Sequence, residues 1–94
     1  MSFEELKSKI LDVTKNYPVK KVTLFGSRAR GDNKPDSDVD LLFEFFEPYV
    51  SLILLSGLKI DLQEKLNLNV DVIHAPIPSD SLLEIDKEIV LYAA

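Results

Sequence analysis

Apolar residues recur at three- and four-residue steps from Phe3 through Leu6, Ile10 and Val13 to Tyr17, the spacing of one helical face. Ser2 and Glu5 ahead of them have the Ser-x-x-Glu form of a capping box. The pattern predicts an amphipathic first helix that stops at Pro18, which restricts Tyr17. Val19 to Phe25, with Val22, Thr23, Leu24 and Phe25, is a residue mix suited to a strand, and Gly26 ends it. From Asp38 to Phe46 the period becomes two. Val39, Leu41, Phe43 and Phe45 alternate with Asp38, Asp40, Leu42 and Glu44, which predicts a second strand with an acidic face. Between the two strands, residues 26–37 are rich in Gly, Ser, Asn, Asp and Pro and form a loop able to carry a short helical turn.

Pro48 introduces a second helix running to about Leu66, with Leu52, Leu55, Leu58, Leu62 and Leu66 as the stripe facing a core. Asn67 to Asn69 breaks it, and Val70 to His74 is a short third strand in which Asp71 points opposite to Val70 and Val72. Pro76 and Pro78 end that strand. Ser79 or Ser81 can cap a last helix through about Lys87, and Ile89 to Tyr92 either extends that helix or forms a small edge strand. The order helix, strand, loop, strand, helix, strand, helix predicts an α/β fold: one domain over residues 1–94, a small mixed sheet with helices packed on it.

Composition narrows the partners. Eleven basic against sixteen acidic side chains leave a net charge of −5, which disfavours stable binding to a nucleic acid backbone. Cysteine is absent, so disulfides, thiol catalysis and Cys-ligated metal sites are excluded, and the composition fits a cytoplasmic protein. The N-terminus carries acids where a secretory signal would be basic. The longest apolar stretch, Tyr49 to Leu58, holds two Ser and a Gly and is about half of what a bilayer crossing requires, so no membrane span is expected.

The chemistry-bearing residues are concentrated. Gly26 and Gly31, two of three glycines, and both arginines, Arg28 and Arg30, fall within six residues. Two readings fit that segment. A Gly-Ser pair at a strand end lets backbone N–H groups and the Ser27 hydroxyl approach an anion, making a phosphate cradle; alternatively it is a tight turn with solvated arginines. Ten residues separate Ser27 from Asp38, and Asp38 and Asp40 project from one strand face about 6 to 7 Å apart. Asp71 interrupts an apolar strand expected beside them, where an unpaired carboxylate is costly unless it reaches a metal or a donor. Hard oxygen ligands without His or Cys suit magnesium, which takes its remaining oxygens from water and nucleotide phosphates.

The run Leu24-Phe25-Gly26-Ser27-Arg28-Ala29-Arg30-Gly31, followed by Ser37-Asp38-Val39-Asp40-Leu41-Leu42 and a later Val70-Asp71-Val72, resembles a minimal nucleotidyltransferase of the DNA polymerase β-like superfamily. The resemblance extends over most of the chain. It implies that Asp38 and Asp40 hold two Mg²⁺ ions, that Asp71 ligates the first and helps accept a proton, and that Gly26 and Ser27 anchor the β- and γ-phosphates of ATP. It implies too that Arg30, and less directly Arg28, neutralises charge there, although either arginine can instead pair with Asp32 or Asp36. Such minimal proteins are similar to the antitoxins of modules whose partner is an all-helical HEPN ribonuclease toxin, and some of them transfer AMP to a tyrosine of that toxin.

The expected function is therefore a magnesium-dependent protein adenylyltransferase. A non-catalytic binding antitoxin with a nucleotide-sensing site and nucleotidyl transfer to a small molecule are the alternatives. At this length the acceptor is expected to bring its own surface, in a hetero-oligomer or a homodimer. Val50, Ile53, Leu54 and Ile60 give the second helix more apolar faces than one small sheet covers, which suits a docking face or burial in the monomer or a homodimer. His74, the sole histidine, is expected to be a strand-end polar residue with no catalytic part.

Overall fold

A computed structural model describes residues 1–74 and 87–94. Helix α1 (Phe3–Thr14) begins at the expected cap: the Ser2 backbone is extended and its Oγ accepts a hydrogen bond from the Glu5 amide at 3.1 Å. Leu6, Ile10 and Val13 are buried, whereas Phe3, expected on the same face, is exposed in the first turn. Strand β1 (Val19–Phe25) occupies the interior of the sheet, and the single-turn helix α2 (Ser27–Arg30) follows it directly.

Strand β2 (Val39–Phe45) returns antiparallel to β1 and shows the predicted alternation, with Val39, Leu41, Phe43 and Phe45 buried and Asp40, Leu42 and Glu44 only partly so. Helix α3 (Leu52–Leu66) then crosses over to β3 (Val70–His74), which pairs parallel with β2, as a parallel neighbour requires. Strand β4 (Ile89–Ala93) pairs antiparallel with the other side of β1, completing a mixed sheet of order β3-β2-β1-β4. The observed class is the expected α/β fold.

Two expectations about α3 are corrected. The helix starts at Leu52 rather than near Pro48: Ser51 is the cap, its Oγ accepting from the Leu54 amide at 3.0 Å, so residues 46–51 stay a connecting loop. Leu58, Leu62 and Leu66 are buried and Leu55 half-buried, but Leu52, placed in the core stripe, is 80% exposed, and the helix's contact with the core begins at Leu54 and Leu55. Asn67 ends the helix in the left-handed conformation at φ 57°, its amide donating to the Gln63 carbonyl at 2.8 Å. Of the alternatives at the C-terminus, Ile89 to Tyr92 lies in an edge strand, and the expected last helix lies almost wholly outside the described residues.

The core joins residues of α1, α3 and all four strands into one cluster, with α1 packed on α3. Tyr17, in the turn just after α1, donates a hydrogen bond to Asp61 of α3, and Asp12 of α1 pairs with Lys65 of α3 at 2.9 Å and with Lys15 at 2.7 Å. These two lysines, Lys15 foremost, hold the Asp12 carboxyl down at about 2. No helix among the described residues is long and apolar enough to cross a membrane.

Candidate active site

The site forms where β1, β2 and β3 lie side by side. In the β1–β2 register Phe25 faces Asp40, and in the parallel β2–β3 register Asp40 faces Asp71. Partners in register project to the same face, so Asp40 is flanked by Asp71 on one neighbouring strand and by the end of β1 on the other. Chain reversal follows immediately at Gly26, φ 77° and ψ −158°, whose carbonyl accepts from the amides of Ala29 and Arg30 at 3.1 Å each. Glycine is required there twice over. Its φ is one that side chains rarely adopt, and a Cβ would run into the Asp40 carboxylate.

The three acids have unequal settings. Asp40 is the partly buried one, and its pKa is raised from 3.8 to about 6. Burial is the largest cause, followed by the hydrogen bond to Asp71 and the negative charges of Asp71 and Asp38, with Arg30 pulling the other way. Asp71 is exposed, so the desolvation expected for it falls on Asp40 instead. Asp38 is also exposed and stands one residue before β2, where the Val39 amide donates to the Asn69 carbonyl at 2.9 Å. Among the described residues, no three carboxylate or imidazole side chains are gathered into a closed metal-binding set: Asp40 and Asp71 pair while Asp38 acts on Asp40 through its charge.

The arginines part company. Arg30 Nε lies 3.2 Å from Asp32 Oδ2, the pairing foreseen as one alternative, and its charge also favours ionised Asp40. Arg28 turns to the loop: Nε and Nη2 donate to the Ser37 carbonyl at 3.2 and 3.0 Å, and Nη2 to the Pro35 carbonyl at 3.2 Å. Ser27 opens α2, and its carbonyl accepts from the amides of Gly31 at 2.9 Å and Asp32 at 3.1 Å. His74 packs edge-on against the Phe45 ring, centroids 5.3 Å apart, as a structural residue. Sequence reasoning did not anticipate Gln63, whose Oε1 accepts from the Val70 amide at 3.3 Å and steadies the start of the strand bearing Asp71. No spacing signal announces that bond, since it depends on how α3 packs.

Magnesium fits this donor set. The candidate ligands are carboxylate oxygens only, and the partly buried Asp40 has the negative charges of Asp71 and Asp38 as neighbours, a repulsion that a divalent cation relieves. The bare Gly26 backbone beside Asp40 leaves room that any side chain would fill.

Known proteins share this chain's domain and fold. The model of the nucleotidyltransferase domain matches residues 6–92. A candidate protein adenylyltransferase of Methanocaldococcus jannaschii is 42% identical over 73 residues, covering 78% of this chain and 77% of that protein. Among solved structures, a candidate minimal nucleotidyltransferase matches with a TM-score of 0.70 at 31% identity, over 95% of each chain. A chain from the complex of tri-AMPylated Shewanella oneidensis HEPN toxin with MNT antitoxin matches with a TM-score of 0.74 at 18% identity, over 97% of this chain and 72% of that one, a likeness of fold.

Proposed function

The chain belongs to the nucleotidyltransferase domain family, and from that membership we propose that it transfers AMP from ATP to a tyrosine hydroxyl of a helical HEPN-type toxin, as the antitoxin of the pair. The observation that carries this reading is the contiguity of Gly26 with Asp40 and of Asp40 with Asp71. A strand-end turn with bare backbone adjoins a carboxylate pair, so a triphosphate on the turn brings its α-phosphorus to the acids. The matched relative in Methanocaldococcus jannaschii is a candidate protein adenylyltransferase, and the Shewanella complex of the same fold contains an AMPylated HEPN toxin, which supports a protein acceptor.

In the proposed reaction the acceptor oxygen forms a bond to the α-phosphorus, the bond from that phosphorus to the bridging oxygen breaks, and pyrophosphate leaves with the electron pair. Asp38, Asp40 and Asp71 are the residues that would hold Mg²⁺, which supplies neutralisation of triphosphate charge and acidifies the acceptor hydroxyl when bound. Gly26 and Ser27 hold the β- and γ-phosphates. Asp71, exposed and on the same rung as Asp40, takes the hydroxyl proton. Arg30, beside the turn, offsets negative charge across the site.

The deciding experiment is co-expression with the helical protein encoded beside it, incubation with Mg²⁺ and ATP, and intact-mass measurement of both chains, with Asp40→Asn as control. An AMP-sized increment on the partner that the control lacks is the expected result. A tight complex with no increment on either chain would replace transfer with neutralisation by contact.

A further inference from the structure

We propose that Arg28 is a positioning residue: its guanidinium ties the Gly26-Ser27 turn to the loop that delivers Asp38, and thereby sets where Asp38 stands beside Asp40. The inference rests on the reading of Asp38 as a functional carboxylate and assigns Arg28 to the protein's own backbone instead of to phosphate.

Asp38 has little else to hold it. Residues 31–36 are all exposed, and Asp38 lies outside the ladder of β2. On its C-terminal side the Val39 amide is anchored to Asn69. On its N-terminal side the loop mainly closes on itself, with the Ser37 amide donating to the Lys34 carbonyl at 3.1 Å and the Lys34 amide to the Ser37 Oγ at 2.8 Å. Such a local turn keeps its shape while free to swing as a unit. The exposed pair of Arg30 with Asp32 restrains only the beginning of the loop.

Arg28 supplies the missing restraint. Three hydrogen bonds of 3.0 to 3.2 Å run from one planar guanidinium to the carbonyls of Pro35 and Ser37, the latter being the residue before Asp38. The other end of the lever is fixed too, since Arg28 belongs to α2, whose amides close onto the Gly26 carbonyl, and Gly26 abuts the Asp40 carboxylate. A rigid fork of donors is what reaching two carbonyls at once demands; a lysine ammonium on a flexible stem cannot span both with the same definition. The arginine thus joins the phosphate side of the site to its acid side across nine residues of chain.

The test uses Arg28→Met and Arg28→Lys in the full chain. Backbone amide exchange over residues 32–38 is expected to quicken by about tenfold in both variants while β1 and β2 keep their protection. Transfer to the acceptor is expected to lose roughly 100-fold in kcat with the KM for ATP changed by less than about twofold. Wild-type exchange over 32–38 in either variant that retains the fold would overturn the proposal, as would a raised KM for ATP with kcat intact, which would make Arg28 a phosphate ligand. Should the Met variant fail to fold, the Lys variant alone decides on the same two readouts. Exchange is read without turnover, so a chain that transfers nothing defeats the transferase reading while leaving the loop measurement to judge Arg28.

Discussion

Asp40 and Asp71 share one rung of the parallel β2–β3 pair, so their carboxylates leave the sheet on the same face, and Asp71 adds to burial in raising the Asp40 pKa to about 6. An acid whose folded pKa lies above its unfolded value adds stability that is complete below that unfolded value, here 3.8, and is lost as the pH rises through about 6. In the absence of metal, wild-type stability should therefore fall relative to Asp40→Asn across that window and run parallel to it above. Urea unfolding of both proteins at a series of pH values checks this; curves parallel throughout the window would mean that neither burial nor its acidic neighbours raise the Asp40 pKa.

Magnesium and the Asp40 proton should compete for the same oxygens. Transfer activity is expected to rise with pH through an acid limb near 6 at low Mg²⁺, and raising Mg²⁺ should move the limb to lower pH. Chelation should abolish transfer and restore the limb on readdition of the metal. An acid limb insensitive to Mg²⁺ would place the titrating group elsewhere.

Gly26 and Gly31 both have positive φ, 77° and 86°, yet their alanine variants should differ sharply. At Gly31 an added Cβ meets nothing within 4 Å, so the cost is the backbone strain alone, about 1 kcal/mol, with activity kept within a few-fold. At Gly26 the same strain is joined by collision with the Asp40 carboxylate, so Gly26→Ala should lose transfer by at least about 100-fold even where it folds. Thermal unfolding beside kinetics of the two variants separates strain from displacement of the acid.

Much of this architecture is legible in the sequence because punctuation and period agree. Pro18 and Gly26 bracket β1, the two-residue alternation marks β2, and Asn67 stops α3 just before Val70. Adjacency of the acid-bearing strands follows from the topology. The register that puts Asp71 on the rung of Asp40, and the burial that singles out Asp40 for the raised pKa, are set by packing and have no local signature. Arg28 illustrates the same limit. Its position within a Gly-Ser-Arg run suggests phosphate, and only the path of the intervening loop brings the Pro35 and Ser37 carbonyls into its reach. Leu52 fails for another reason: helical spacing reports which residues share a face but not where along the helix the packed stretch begins.

That last point is directly measurable. Leu58→Ala, in a fully buried position, should cost about 2 to 5 kcal/mol, whereas Leu52→Ala, 80% exposed on the same helix, should stay within about 0.5 kcal/mol of wild type. Chemical denaturation of both variants gives the comparison. A large loss at Leu52 would mean that the first turn of α3 is covered in solution.

Tyr17 offers a test of how α1 is fastened to α3. Its hydroxyl donates to the Asp61 carboxylate, and that bond, ahead of burial and of the Asp61 charge itself, pushes the phenol up to about 12. The stability this contributes is present below the unfolded value of 10.0 and is lost as the pH rises through about 12. Tyr17→Phe should therefore cost about 1 kcal/mol at neutral pH, since Asp61 is exposed enough to regain water, and should erase the phenolate absorbance step near pH 12. Gly57 gives the control variant, because an alanine Cβ there would stand 3.4 Å from the Tyr17 hydroxyl, an ordinary van der Waals contact that leaves the donor and its bond in place. Gly57→Ala should then keep the phenol step near pH 12 while Tyr17→Phe removes it, and a wild-type step near 10 would show that the Tyr17 hydroxyl does not bond Asp61, leaving the apolar faces and the Asp12–Lys65 pair to hold the two helices.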